Sequence, residues 1–483
     1  MTPQQHDLFH ARRQFLGRAA TGIGTAALSS LLPAAAAADP LPVAQPSVTQ
    51  SLAHHFAPKA KSVIYLFMAG APSHVDLFDY KPTLTRLNGT QIPQELMEGQ
   101  RFAFMKEFPK VGGSPWRFIR GNGTGGMFSS LLPHTAAIAN ELAVVHTMHT
   151  DQFNHDPAVT FVNSGAALPG RPSAGSWVSY GLGSENRDLP AFIVLNSGEP
   201  GQPLQSRYWG SGFLPTTHQG VQLRSQGDPV LYVSNPEGFS TETRRRSLDA
   251  VRQLNHWQLE TINDPEIRTR IEQYELAFRM QLSVPELVRI SEEPKSMLDL
   301  YGADPSEASF ANNCLLARRL VERGVRFVQL YHTGWDHHGF STEQDLLSQL
   351  PRKARETDQA SAALITDLKQ RGLLEDTLVI WGGEFGRTPM VQSNLPATHM
   401  GRDHHPRAFT IWMAGGGVRP GTIYGATDDF GYNVTENPVH VHDFHATLLH
   451  CLGIDHKRLT YKFQGRDYRL TDVHGRVIHD LLS

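Results

Sequence analysis

Ser62-Val63-Ile64-Tyr65-Leu66-Phe67-Met68-Ala69-Gly70 is an unbroken apolar run, rich in β-branched and aromatic residues, that stops at a glycine. A strand with one wet face alternates apolar and polar residues. A run without alternation suits a strand covered on both faces, as in a parallel sheet with helices above and below. Outward from it the same pattern recurs. A helix over 131–140 feeds a strand at 142–148, a short helix over 157–165 closes at Gly165, and a strand follows at 191–195. A helix over 310–323 stops at Gly324 and feeds a strand at 325–331. Another over 359–371 stops at Gly372 and feeds a strand at 377–381. A strand at 409–414 and a helix over 442–451, stopped by Gly453, complete the series. This alternation predicts an α/β fold, a mostly parallel central sheet with helices on both faces.

Two stretches interrupt the pattern. Residues 82–130 are Gly- and Pro-rich and read as an irregular excursion. Residues 196–300 form a second insertion, loop-rich at first, then charged and helical over 240–291. There Leu254, Ile262, Ile267, Ile271, Tyr274 and Phe278 are expected to face a core.

The composition is that of an ordinary globular chain of 483 residues, 40% apolar and 19% charged, with a net charge of −3. Such a balance offers no global attraction to nucleic acid or to an anionic membrane, so a charged ligand must be held locally. Two cysteines, Cys314 and Cys451, argue against a disulfide framework and a thiolate metal site. At the amino terminus Arg12-Arg13 precedes a short, mild apolar stretch and the alanine run 34–38. This is the form of a twin-arginine signal peptide, too short to span a bilayer. The expected organisation is a signal over 1–38, a linker over 39–60 and one α/β domain over 61–483, located in the periplasm or outside the cell with no stable membrane anchor. Twin-arginine export carries folded proteins, which suits a metal loaded beforehand.

Histidine is the unusual residue, with 24 copies. In a parallel sheet, ligands bind at the carboxyl ends of the strands, and that is where acids and histidines gather here. Asp76 follows the first strand, Asp336-His337-His338 the strand at 325–331, and Glu384 with Arg387 the strand at 377–381; Asp403-His404-His405 precede the strand at 409–414. Carboxylate and imidazole together suit zinc, manganese or iron better than calcium or magnesium alone. The candidate metal ligands are Asp76, Asp336, His337, His338, Glu384, Asp403, His404 and His405. Arg387 and Arg402 are placed to clamp an anionic ester, with Asn154 beside them. Glu384 is the candidate general base or ligand, and His155 the candidate general acid. The structural alternative pairs Glu384 with Arg387 and makes His155 a helix cap.

Several motifs resemble the domain-of-unknown-function 1501 family of exported, sulfatase-like proteins over nearly the whole chain. They are LFMAGAPSHVDLFDYKP (66–82), NHDPAVTFVNSG (154–165), GRPSAGSWVSYGLGSEN (170–186), YELAFRMQ (274–281), ARRLVERGVRFVQLY (317–331), GWDHH (334–338), LLEDTLVIWGGEFGRTP (373–389), GRDHHP (401–406) and HVHDFHATLLHCLGI (440–454). The family in turn resembles the alkaline phosphatase/sulfatase superfamily. That resemblance implies a metal-binding Asp at Asp76, a nucleophile region at 154–165, an Asp–His pair at Asp336 with His337 or His338, and a last metal histidine at His404 or His405. The resemblance to the domain-of-unknown-function 1501 family also implies exported cytochrome-like proteins as partners. The chain departs from the superfamily at Phe385, where a second-site histidine is expected, and in having no Ser, Thr or Cys in the nucleophile setting. The expected function is therefore hydrolysis of sulfate or phosphate esters, polysaccharide esters among them, by metal-activated water. The ion is divalent, with zinc, manganese and calcium all open. The competing reading is a non-catalytic exported binding or scaffold protein on a hydrolase fold.

Overall fold

The apolar run at 62–70 forms β1 (Ser62–Met68), every residue of which is buried, inside a sheet that has nine strands among the described residues. The computed structural model describes residues 54–483 apart from 99–101, 106–108, 199–203, 225–234, 236–237, 263–264 and 393–398. These belong to one compact unit, Val48–Ser483. The twin-arginine segment, and the linker up to residue 53, lie outside the described residues.

In chain order the strands that concern the site are β1, β2 (Leu142–His149), β3 (Phe192–Ser197), β4 (Val221–Leu223), β5 (Phe327–His332) and β6 (Thr377–Gly382). A short antiparallel ladder of β7 (Gly386–Arg387) and β8 (His404–His405) follows. Then come β9 (Phe409–Ala414), β10 (Thr422–Tyr424) and β11 (Val439–His440). The principal helices are α1 (His155–Ser164), α2 (Ala174–Leu182), α3 (Thr241–Ile262), α4 (Pro265–Val288), α5 (Phe310–Glu322), α6 (Leu346–Gln370) and α7 (Val441–Cys451).

The sheet order is β10-β2-β9-β6-β1-β5-β3-β4, with β11 also on β2. Every pairing is parallel except those of β9, which runs against both β2 and β6. As a result β1, β2, β5 and β6 all end at one edge. Because β9 is reversed, the segment that precedes it arrives at that same edge.

The absence of alternation in β1 has its explanation in two cores. Ile64, Leu66 and Met68 pack with Leu315, Leu316, Leu364 and Leu368 of α5 and α6 on one face. Val63, Tyr65 and Phe67 pack with Val159, Trp177 and Leu448 of α1, α2 and α7 on the other. Each large apolar side chain so buried contributes about 1.5–3 kcal/mol.

Three expectations need correction. The helix expected at 359–371 begins at Leu346, because the Asp345 carboxylate caps it through the N–H groups of Leu347 and Ser348, and it runs through Pro351. The helix expected at 131–140 breaks into Pro133–Ala137 and a 3-10 turn, Ala139–Glu141. In the second insertion Leu254, Ile262 and Tyr274 are 46%, 65% and 44% exposed, whereas Ile267 is buried. The helices α3 and α4 are tied to each other, with Arg245 bonded to Glu275 and lying over the Phe278 ring, and leave these flanks in solvent. Among the described residues no helix is long and apolar enough to cross a membrane.

Candidate metal centre

Four segments meet at the carboxyl edge of the sheet. The loop after β2 leads into α1, whose first residue is His155 and whose N-cap is Asn154. The loop after β5 carries Asp336 and His338. The turn after β6 carries Glu384, and the segment 401–405 brings in His404. Two glycines permit the close approach. Gly70 has φ +110°, and a Cβ on it would stand 2.7 Å from the Asp336 nitrogen. A Cβ on Gly401 would come within 1.9 Å of the His338 carbonyl carbon. Ala71, a non-glycine at φ +62°, sits in the left-handed region at a cost of about 1–3 kcal/mol. Its carbonyl accepts the Arg387 Nε–H at 2.9 Å.

His155, Asp336, His338 and His404 form a cluster able to hold a metal ion, with one donor atom from each within 4.8 Å of the others. The Nε2 atoms of His155, His338 and His404 lie 3.1, 2.8 and 3.6 Å from Asp336 Oδ1. Each imidazole is held by its other nitrogen. His155 Nδ1 is 2.6 Å from Glu384 Oε1, His338 Nδ1 is 2.6 Å from Gln392 Oε1, and His404 Nδ1 is 2.7 Å from the Phe153 carbonyl. All three partners are acceptors, so each Nδ1 donates, and each Nε2 offers its lone pair to a cation whenever its ring is neutral and can donate to Asp336 when the ring is protonated. His338 Nε2 and His404 Nε2 are only 3.0 Å apart. Two lone pairs at that separation repel unless a proton or a metal cation lies between them. The donor set and its outer hydrogen bonds are those of a histidine–carboxylate metal site.

The electrostatics agree. Burial would raise the Asp336 carboxyl, but the Arg387 guanidinium and hydrogen bonds from the three imidazoles hold it far below the ordinary carboxylate range. Burial, with the Arg387 charge, pushes His404 down to about 3 despite its hydrogen bond to Asp336. His155 moves the other way: burial opposes its charge, but hydrogen bonds to Asp336 and Glu384 prevail and raise it. Asp336 and His155 side chains are 18% and 11% exposed, which puts the opening of the cluster on their side.

The remaining candidates lie around this group. Glu384 Oε1 accepts from Gly70 N at 2.9 Å as well as facing His155, and its Oε2 is buried without a partner among the described residues. Arg387 reaches Asp336 Oδ1 at 2.6 Å and the carbonyls of Gly70 and Arg402 at 2.5 and 3.1 Å, and is 2% exposed. Arg402 grips Asp76 at 2.6 and 3.0 Å, both fully buried. The structure thus brings Asp76 to Arg402 and not to the cluster. Asp403 accepts the Phe104, Met105 and His404 N–H groups. His405 Nε2 faces the Tyr432 carbonyl at 2.5 Å. The His337 ring is buried, with Nε2 unpartnered among the described residues, and burial lowers it to about 3. Asn154 is exposed beside His155.

Gln392 and the Phe153 carbonyl carry no sequence signal, because one is an ordinary amide and the other is backbone. Phe104 and Phe340, 51% and 54% exposed, lie against the His338 ring, which Phe340 stacks at 5.7 Å and 9°.

A mostly parallel α/β sheet whose carboxyl edge carries a histidine–carboxylate cluster defines the class: an α/β protein with a candidate metal centre. The chain belongs to the family described as protein of unknown function, DUF1501, whose model matches residues 60–482. No curated protein is significantly similar to it. Among solved structures it is similar to a protein in the alkaline phosphatase superfamily from Vibrio parahaemolyticus, with 12% identity and a TM-score of 0.35 over 84% of this chain and 69% of that one. It is also similar to the PsFucS1 sulfatase from Pseudoalteromonas sp., with 12% identity and a TM-score of 0.33 over 82% and 68%. A third is Ps i-CgsB in complex with k-i-k-neocarrahexaose, with 8% identity and a TM-score of 0.36 over 82% and 72%. Likenesses this distant carry no argument about the activity of this chain.

Proposed function

We propose that the protein is a metal-dependent hydrolase of sulfate or phosphate esters, with the ion held by His155, Asp336, His338 and His404. The observation that carries this reading is the convergence of three Nε2 atoms on one oxygen of Asp336, at 3.1, 2.8 and 3.6 Å. A divalent ion there would supply Lewis acidity toward an ester oxygen or a water. The chain's own groups do the rest. Glu384 fixes the His155 tautomer and orientation, and Arg387 fixes the Asp336 carboxylate. Phe104 and Phe340 form an apolar rim that shields the cluster and orients an approaching ring. Asn154, exposed at the opening, is placed to meet the ester. Arg402, committed to Asp76, holds the 401–405 segment in position.

The test is elemental analysis of protein purified without chelator, followed by turnover of chromogenic sulfate and phosphate esters. Near-stoichiometric metal and an activity lost on chelation and restored by the ion are expected. Metal-loaded protein that turns over neither ester class would overturn the hydrolase reading.

One observation favours the binding or scaffold reading instead. Four protein donors complete a tetrahedral zinc shell, which is the form of a structural site, whereas a catalytic site keeps a position open. Metal-edge absorption decides between them: four protein ligands and no water support the scaffold, five or six ligands with water support catalysis.

A further inference from the structure

An open cleft of about 750 Å³ lies at the same edge of the sheet and shares no residue with the cluster. Its floor is where β2 and β11 end side by side, with His149 and His440 as paired residues. The loop that leaves this floor through Asp151 is the one that reaches the cluster at His155.

The charges of the cleft are unevenly committed. Asp443 accepts the His440 and Arg476 N–H groups at 3.1 and 2.8 Å, so both its oxygens are occupied. His440 Nδ1 accepts the His442 N–H at 3.3 Å, which leaves its proton on Nε2, 3.3 Å from Asp151 Oδ2. The Lys457 amino group, which also lines the cleft, makes no ion pair among the described residues. Arg476 donates NH2 to the Pro438 carbonyl at 2.8 Å, stands 3.6 Å from Asp443 by Nε, and is otherwise 61% exposed. His474 adds a further ring nitrogen to the wall, stacked on the buried His442 at 5.1 Å. The free groups are therefore mainly donors and cations, apart from the outer oxygen of Asp151. A lysine and an arginine lining one polar cleft suit a tetrahedral oxyanion, which accepts from both.

The chain from His149 to His155 spans about 21 Å at most, taking about 3.5 Å per extended residue. An anionic group in the cleft and another at the cluster can thus belong to one extended molecule.

We propose that this cleft is a second binding site, which takes a sulfate or phosphate group of an extended polyanion whose neighbouring anionic group lies at the His155/Asp336 cluster. Only the second half rests on the anionic-ester reading; the cleft stands on its own residues.

The experiment is calorimetric titration of the metal-loaded protein with inorganic sulfate, inorganic phosphate and dextran sulfate. It compares the native chain with Lys457→Ala/Arg476→Ala and with the charge-keeping Lys457→Arg. Dextran sulfate is expected to bind well above the free ions, to lose roughly tenfold or more in affinity in the double variant, and to recover in Lys457→Arg. Metal content and thermal unfolding of the variants are expected to match the native chain. Equal affinity of native and double-variant protein for dextran sulfate overturns the cleft, and equal affinity of the native protein for polymer and free ion overturns its pairing with the cluster in one extended ligand. If Lys457 and Arg476 matter to binding but no ester is turned over, the cleft survives and the hydrolase reading fails.

Discussion

The Nδ1 of His155 stands 2.6 Å from Oε1 of Glu384, whose second oxygen is buried without a partner among the described residues. A carboxylate placed so is costly to bury unless its charge is balanced, and the balance available is positive charge at the cluster, carried through the imidazole. Glu384→Gln keeps the acceptor for Gly70 and His155 but removes the charge. Metal affinity should fall roughly 10–100-fold, and ester turnover with it, while thermal stability of the metal-free protein changes by no more than about 1 kcal/mol. Competition with a metal-binding dye measures the first and thermal unfolding the last. Unchanged metal affinity would remove Glu384 from the site.

Metal content should separate the cluster from its neighbours. Asp336→Ala, His338→Ala and His404→Ala should each lose the ion on desalting. Asp76→Asn should keep it, yet lose about 3–5 kcal/mol of stability, because it strands the buried Arg402 charge. Elemental analysis and denaturant unfolding, run side by side, give both readings. Stoichiometric metal in the Asp336→Ala protein would locate the ion elsewhere.

Acid should act through the histidines, and the signs differ between them. His404 and His405, pushed down to about 3 chiefly by burial, stay neutral in the fold. Their folded values lie below the unfolded 6.5, so the stability they contribute is present above pH 6.5 and is lost as pH falls toward 3. His155 in metal-free protein is raised instead, so its contribution is full below pH 6.5 and is lost as pH rises through its folded value. An ion takes the place of that proton. The difference in Tm between metal-loaded and metal-free protein should therefore grow with rising pH and shrink on acidification. A difference independent of pH from 5 to 8 would contradict it.

Gly401→Ala should be among the most damaging single substitutions, since its Cβ would meet the backbone of His338 at 1.9 Å. A loss of several kcal/mol, or failure to fold, is expected. Gly372→Ala is the control: φ is +69°, but nothing stands within 4 Å of the new Cβ. Its cost should be that of the left-handed backbone alone, about 1–2 kcal/mol. Comparable losses at both positions would mean that the contact at 401 relaxes.

The sheet was legible in the residues. Apolar runs without alternation, several of them fed by a helix that a glycine stops, suit strands covered on both faces, and 62–68, 142–149, 327–332, 377–382 and 409–414 all appear as strands of the sheet. It also marked the segments that hold the cluster, because acids and histidines after buried strands stand out against an apolar background. Pairing within those segments was decided only by tertiary structure. Adjacent histidines such as His337 and His338, or His404 and His405, are equivalent in a sequence but point to opposite sides of an extended chain. One of each pair meets Asp336, and the other is turned into the protein. Which one depends on the reversed β9, on Gly401 lying against His338, and on acceptors as anonymous in sequence as Gln392 and the Phe153 carbonyl. The two arginines illustrate the same limit: a guanidinium near a strand end is equally suited to a substrate and to a buried carboxylate, and distance alone assigned Arg402 to Asp76 and Arg387 to Asp336.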